Sequence, residues 1–224
     1  KAFGDEAMSY LSARRGEGSI FTLLGGWGAI SYSLENVIRT GNTDPKISLQ
    51  YWDGYASFNT YLQQFSLIPS RATDYVDYIS PNWRNSIGTD GSLKLVWDKS
   101  SSNYAQLTNM AHGMGLKVLP LINGSGSTIN TILKSPAARE KLIQEIVTLI
   151  NDTNTDGVVI DFETPLDYGV KEDPNDGVRN DLTAFMASLY AELKPMNKVV
   201  IMTVMPRSSA SQYWLDAFDY GALS

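Results

Sequence analysis

The 224-residue chain is 43% hydrophobic and 19% charged, an ordinary globular balance with enough apolar material for a sizeable core. Its 18 Lys+Arg against 24 Asp+Glu leave a formal charge of -6, which argues against nucleic acid as a partner and fits a neutral or cationic one. The absence of cysteine excludes disulfides, thiolate metal sites and a Cys nucleophile, and a single histidine, His112, excludes a multi-histidine zinc site.

A Ser-His-Asp triad would have to use His112, so most hydrolytic chemistry in such a chain falls to carboxylates. No run approaches the roughly 20 apolar residues of a membrane span. Residues 1–43 read as a helical segment, with helices over Glu6–Arg14 and Gly28–Ile38 separated by Gly-rich turns. From residue 44 onward short β-branched or aromatic runs alternate with amphipathic helices, the rhythm of a parallel sheet. Strands are predicted at Ile47–Trp52, Tyr75–Ser80, Lys117–Ile122, Gly157–Phe162 and Lys198–Val204, each close to continuously apolar, as strands buried on both faces should be.

Thr89-Asp90-Gly91-Ser92, between Trp83 and Trp97, reads as a hairpin turn inserted after the second strand. Helices are predicted at Phe58–Phe65, Tyr104–Met114, Pro136–Ile150 and Asn180–Leu193. The third has Ser135 at the N-cap, Pro136 in the first turn and Leu142, Ile146 and Ile150 at helical spacing; the fourth stops at Lys194-Pro195. Gly124-Ser125-Gly126-Ser127 reads as a flexible loop, and the acidic stretch Lys171–Gly177 as a solvated one. Right-handed crossovers of this kind build either an open doubly wound sheet or a closed barrel, and periodicity alone leaves both open.

The stretch Asp156-Gly157-Val158-Val159-Ile160-Asp161-Phe162-Glu163 carries the chemistry. Side chains alternate along a strand, so Val159, Asp161 and Glu163 share one face and the two acids sit together at its C-terminal end. Burying like charges side by side raises one carboxyl's pKa, and a protonated carboxylic acid is what a glycosidic oxygen needs to leave. Two acids on one strand cannot flank a sugar from opposite sides, so the nucleophile has to come from elsewhere.

This stretch resembles the fourth-strand signature of glycoside hydrolase family 18, the chitinase-like enzymes, whose pattern is Asp-x-x-Asp-x-Asp-x-Glu. Ile79-Ser80-Pro81-Asn82-Trp83 with Asp90-Gly91-Ser92-Leu93 is similar to the second strand and loop of the bacterial branch that attacks spore cortex or peptidoglycan. Met202-Thr203-Val204-Met205-Pro206 resembles the family's fifth strand, and Trp214–Leu223 the lead-in to its sixth.

The resemblance implies a (β/α)8 TIM barrel, of which residues 44–224 would supply strands one to five, the rest lying elsewhere in a parent chain. It implies hydrolysis of an N-acetylglucosamine-containing polysaccharide by substrate-assisted retention, with Glu163 as general acid and base and Asp161 orienting the N-acetyl group. For such a carboxylate glycosidase no metal or organic cofactor is expected. Trp83, Asn82, Asn123 and Arg207 lie just beyond strand ends, where a barrel presents groups to substrate, and with Met202 they are the expected substrate contacts, capping of the following helices being the alternative for Asn82, Asn123 and Arg207. Asp156 and Gly157 read as a structural turn entering the strand, and the resemblance implies an extracellular or cell-wall location. Two departures stand out: Val159 replaces the pattern's middle Asp, and Pro120-Leu121-Ile122-Asn123-Gly124 replaces the Ser-x-Gly-Gly of chitinase third strands. Val159 leaves room for a catalytically silent, carbohydrate-binding barrel. Trp52, Tyr55 and Trp97 are expected to pack rather than stack on sugar, and His112 to be structural.

Overall fold

The protein's structure, a computed structural model, describes residues 21–23, 47–51, 58–59, 77–162, 166–169, 177–205, 209 and 211–223. Its strands are β1 (Phe21–Leu23), β2 (Ile47–Tyr51), β3 (Tyr78–Pro81), β4 (Arg84–Ile87), β5 (Leu93–Leu95), β6 (Lys117–Val118), β7 (Leu121–Asn123), β8 (Gly157–Asp161) and β9 (Val199–Met202). Its α-helices are α1 (Ser102–Gly113), α2 (Gly126–Lys134), α3 (Pro136–Thr153) and α4 (Arg179–Leu193).

Parallel pairing runs in the order β1-β2-β3-β6 and β7-β8-β9. The two sheets are continuous, because β6 and β7 are halves of one strand interrupted at Leu119-Pro120. Pro120 has no N–H to donate, yet its carbonyl accepts from Val159 N (3.0 Å), while Leu119 N donates to Ile79 O (2.8 Å). All five predicted strands are present, although Trp52, Tyr75 and Val76 lie outside the described residues. β1 adds a strand that the sequence did not announce, since three residues are too few to show a period. The helices expected at 6–14 and 28–38, and the boundary at residue 43, lie outside the described residues, as does the expected Phe58–Phe65 helix beyond its first two residues.

Alternation along the strands separates two apolar clusters. Ile79, Val118, Ile122, Val158, Ile160 and Phe162 face the helices and pack with Leu142, Ile146 and Ile150 of α3 and Leu182, Phe185 and Leu189 of α4. Tyr78, Leu119, Leu121, Val159 and Ile201 form a second layer, made of strand residues and of Leu119 at the interruption between β6 and β7, on the opposite face. This is the arrangement of a barrel wall, with helices outside and interdigitated side-chain layers inside.

Local chemistry sets the helix ends. The Ser135 hydroxyl accepts from Ala138 N (3.3 Å) to cap α3, and left-handed Asn154 (φ 53°) ends it. One expectation is corrected: Gly126 and Ser127 open helix α2 instead of lying in a flexible loop. Ile129, Ile132 and Leu133 recur at helical spacing and are buried, so tertiary packing overrides the poor propensity of its first residues. None of the described helices is long and apolar enough to cross a membrane.

The expected hairpin is present, with β4 and β5 antiparallel. Gly91 at its turn has φ 85° and lies so close to α3 that a Cβ would overlap the Ala138 carbonyl, so both backbone and packing require glycine. At the N-terminal end of β8, Asp156 Oδ2 accepts from Val118 N (2.8 Å) and from His112 Nε2 (2.8 Å), tying α1 and β6 to the start of β8.

Candidate active site

Parallel strands bring their C-terminal ends together, and there the face opposite the helices turns polar. Registers pair Leu121 with Val159 and Val159 with Ile201, making one apolar layer. Two residues further along each strand stand Asn123, Asp161 and Thr203, and alternation places all three on that face. A polar row thus caps a dry one.

Asp161 is only 1% exposed. Burial pushes its carboxyl above the ordinary carboxylate range, and the hydrogen bond from the Thr203 hydroxyl to Oδ1 partly offsets that rise. Oδ2 is buried and has no hydrogen-bond partner among the described residues. A buried acceptor left open in this way carries a cost that a bound donor removes. Asn123 accepts from Arg84 Nε (2.6 Å), so the hairpin inserted after β3 is fastened to the row from the side.

The structure sorts the predicted site residues. Asp161 and Asn123 come together as neighbours on β8 and β7, and Asn82 is buried just beyond β3. Glu163 and Arg207 lie outside the described residues. Met202 is placed differently from expectation: it packs against the helix-facing cluster, because Ile201 holds the other face and a shift of one residue exchanges faces. The residue of β9's continuation that reaches the site is Thr203, one position on.

Trp83 is also corrected. It is wholly buried and sits edge-on to Tyr104, with ring centroids 5.1 Å apart, so it has no face open to a sugar. Trp97 packs on Tyr104 and exchanges hydrogen bonds with its hydroxyl, while Trp52 and Tyr55 lie outside the described residues. Gly157 is structural in a specific sense: a Cβ there would overlap the Val199 carbonyl oxygen and push β9 off β8.

Sequence reasoning missed Thr203 and Arg84. The run Val199-Val200-Ile201-Met202-Thr203-Val204-Met205 contains no polar alternation that would reveal which residues face inward. Arg84's partner is 39 positions away, beyond the reach of any local pattern.

Comparison with known proteins places the chain. Residues 47–224 match the sequence profile of glycosyl hydrolases family 18. A solved structure described as "C-terminal domain of putative chitinase" from Desulfitobacterium hafniense DCB-2 is 78% identical, with TM-score 0.76, covering 80% of this chain and 52% of that one. The "Putative sporulation-specific glycosylase YdhD" of Bacillus subtilis (strain 168) is 22% identical over 182 residues, covering 80% of this chain and 37% of its own length. The Bacillus cereus spore cortex-lytic enzyme SleL is 19% identical with TM-score 0.58, covering 78% of this chain and 37% of that one, a likeness of fold. The chain therefore spans between about a third and a half of the relatives named here. The fold of the described residues is part of a TIM barrel of alternating strands and helices.

Proposed function

Because the chain belongs to glycosyl hydrolases family 18, we propose that it is part of a retaining glycosidase that cleaves β-linked, N-acetylglucosamine-containing polysaccharide, peptidoglycan or a chitin-like polymer. In this reading β2, β3, the joined β6 and β7, β8 and β9 are the first five strands of an eight-stranded barrel. The site then opens at the C-terminal mouth, and the enzyme works outside the cell or at the wall.

The observation that carries the reading is the state of Asp161: almost fully buried, one oxygen held by Thr203, the other without a partner among the described residues, at the end of the strand that leads to Glu163. A dry carboxylate with one open acceptor suits the N–H of an N-acetyl group. It turns the acetamido carbonyl toward the anomeric carbon and stabilises the positive charge that develops on the amide.

Glu163 gives its proton to the glycosidic oxygen as the C1–O bond breaks, and the substrate's carbonyl oxygen bonds to C1 to form an oxazolinium. Glu163, now a carboxylate, takes a proton from water. The hydroxide attacks C1, the ring opens back to the amide, and configuration is retained.

Names of relatives add support without deciding among glycans: one similar chain is called the "C-terminal domain of putative chitinase", another a spore cortex-lytic enzyme. The hairpin-borne Arg84, fastened to Asn123, supplies a cation beside the row and suits an acidic wall glycan as well as a neutral one.

A second reading is favoured by Val159, which lies in the apolar layer under Asp161 and gives it no carboxylate neighbour there. Such a barrel would hold glycan without cutting it. Mass-spectrometric product analysis of the full-length protein and its Glu163→Gln variant, with N-acetylglucosamine oligomers and purified peptidoglycan, separates the two. Cleavage by the wild type alone establishes the glycosidase. Retention of glycan with cleavage by neither establishes the binding barrel, and equal cleavage by both removes Glu163 from the mechanism.

A further inference from the structure

We propose that Thr203 is the positioning residue for Asp161, locking its carboxyl so that Oδ1 is occupied and Oδ2 is presented to the substrate's N-acetyl N–H. The inference rests on the glycosidase reading and deepens it, because it adds a residue from the neighbouring strand to the site.

Among the described residues, those around Asp161 give this hydroxyl no substitute. Below it on the same face of β8 is Val159, fully buried against Leu121 and Ile201, with no polar atom to offer. Asn123 flanks it on one side and Thr203 on the other, in the register of β7, β8 and β9. Neither flanking side chain carries a charge.

Of the two, it is Thr203 whose hydroxyl is bonded to the carboxylate. That hydroxyl has one proton and two nearby acceptors, Asp161 Oδ1 and the Ile160 carbonyl, the latter at a long 3.4 Å. The charged and closer acceptor takes it.

The donor itself is held firmly. Thr203 N donates to Ile160 O (2.9 Å), continuing the parallel ladder one residue past β9. A β-branched side chain has few χ1 choices, so the hydroxyl is fixed relative to that backbone bond. Thr203 thereby does for Asp161 what Val159 on its own strand cannot, and orientation of the N-acetyl group depends on it.

The test is steady-state kinetics and the pH profile of kcat for the full-length protein and its Thr203→Val and Thr203→Ser variants, on N-acetylglucosamine oligomers. Thr203→Val removes only the hydroxyl; kcat is expected to fall about tenfold to a hundredfold with KM nearly unchanged, the scale of a misoriented reacting group. Its acid limb should move to higher pH, since the lost donor favoured the ionised carboxylate. Thr203→Ser should recover kcat to within about threefold and restore the profile, an effect that a purely structural role would not produce.

Should Thr203→Val fail to fold, Thr203→Ala takes its place with the same expectation. A wild type that cleaves no such polymer overturns the underlying reading. A cleaving wild type whose hydroxyl-free variant keeps both kcat and the acid limb overturns the Thr203 assignment alone.

Discussion

Arg84 Nε donates to Asn123 Oδ1 across 2.6 Å, joining a hairpin that leaves the barrel wall after β3 to the end of the strand beside Asp161. A partly buried hydrogen bond to a charged group contributes on the order of 1.5–3 kcal/mol, and here it spans two elements that no backbone ladder connects. Asn123→Leu, which keeps the volume and removes the acceptor, is expected to lower stability by about that amount in urea unfolding. It should also raise KM more than it lowers kcat, because the hairpin loses its fastening while Asp161 and Thr203 stay in place. Unchanged stability together with unchanged KM would show that the bond does not hold the hairpin.

Gly157 makes a sharper claim about β8. Any Cβ at that position would meet the Val199 backbone, which pairs with it in the parallel ladder. The neighbour is main chain and cannot rotate away, so Gly157→Ala must displace β9 and with it Thr203. We expect a loss of roughly 2–4 kcal/mol by denaturant titration, in the range of overpacking with broken pairing. Activity should fall further than stability explains, because the polar row is built across the same two strands.

Much of this was legible in the sequence, for a physical reason in each case. Strands buried on both faces leave near-continuous apolar runs, so β8 and β9 could be placed within a few residues; Ser135 and Pro136 marked the start of α3 because capping is local. The pair at positions 161 and 163 was legible because a spacing of two has one meaning in a strand.

What failed was information carried across strands. Met202 and Thr203 differ by one residue, and nothing in an unbroken apolar run says which faces inward; only the pairing of Val159 with Ile201 decides it. Trp83 follows a strand end, as a stacking residue would, yet the hairpin behind it turns the ring into the core. α2 stayed hidden because Gly126 and Ser127 are poor helix formers whose cost is met by contacts with α3 and α4.

Asp161 should trade stability for function, and the sign can be worked out. Its carboxyl is raised by burial, so the folded protein disfavours the ionised form relative to the unfolded chain. Below the ordinary carboxylate range, roughly pH 4, both states are protonated and no penalty exists; the penalty grows as pH rises through the folded carboxyl's higher value and is complete beyond it. Asp161→Asn removes the charge and keeps an oxygen for the Thr203 hydroxyl. It is therefore expected to raise Tm near neutral pH, with the difference from wild type closing as pH falls below about 4. The same change takes away the negative charge that faces the developing oxazolinium, and kcat should drop by roughly a hundredfold or more. Calorimetry at two pH values and kinetics on one preparation read both effects: a variant less stable than wild type at neutral pH would mean that the charge is paired by something the described residues do not include, and a variant of full activity would mean that Asp161 is not the group that holds the N-acetyl.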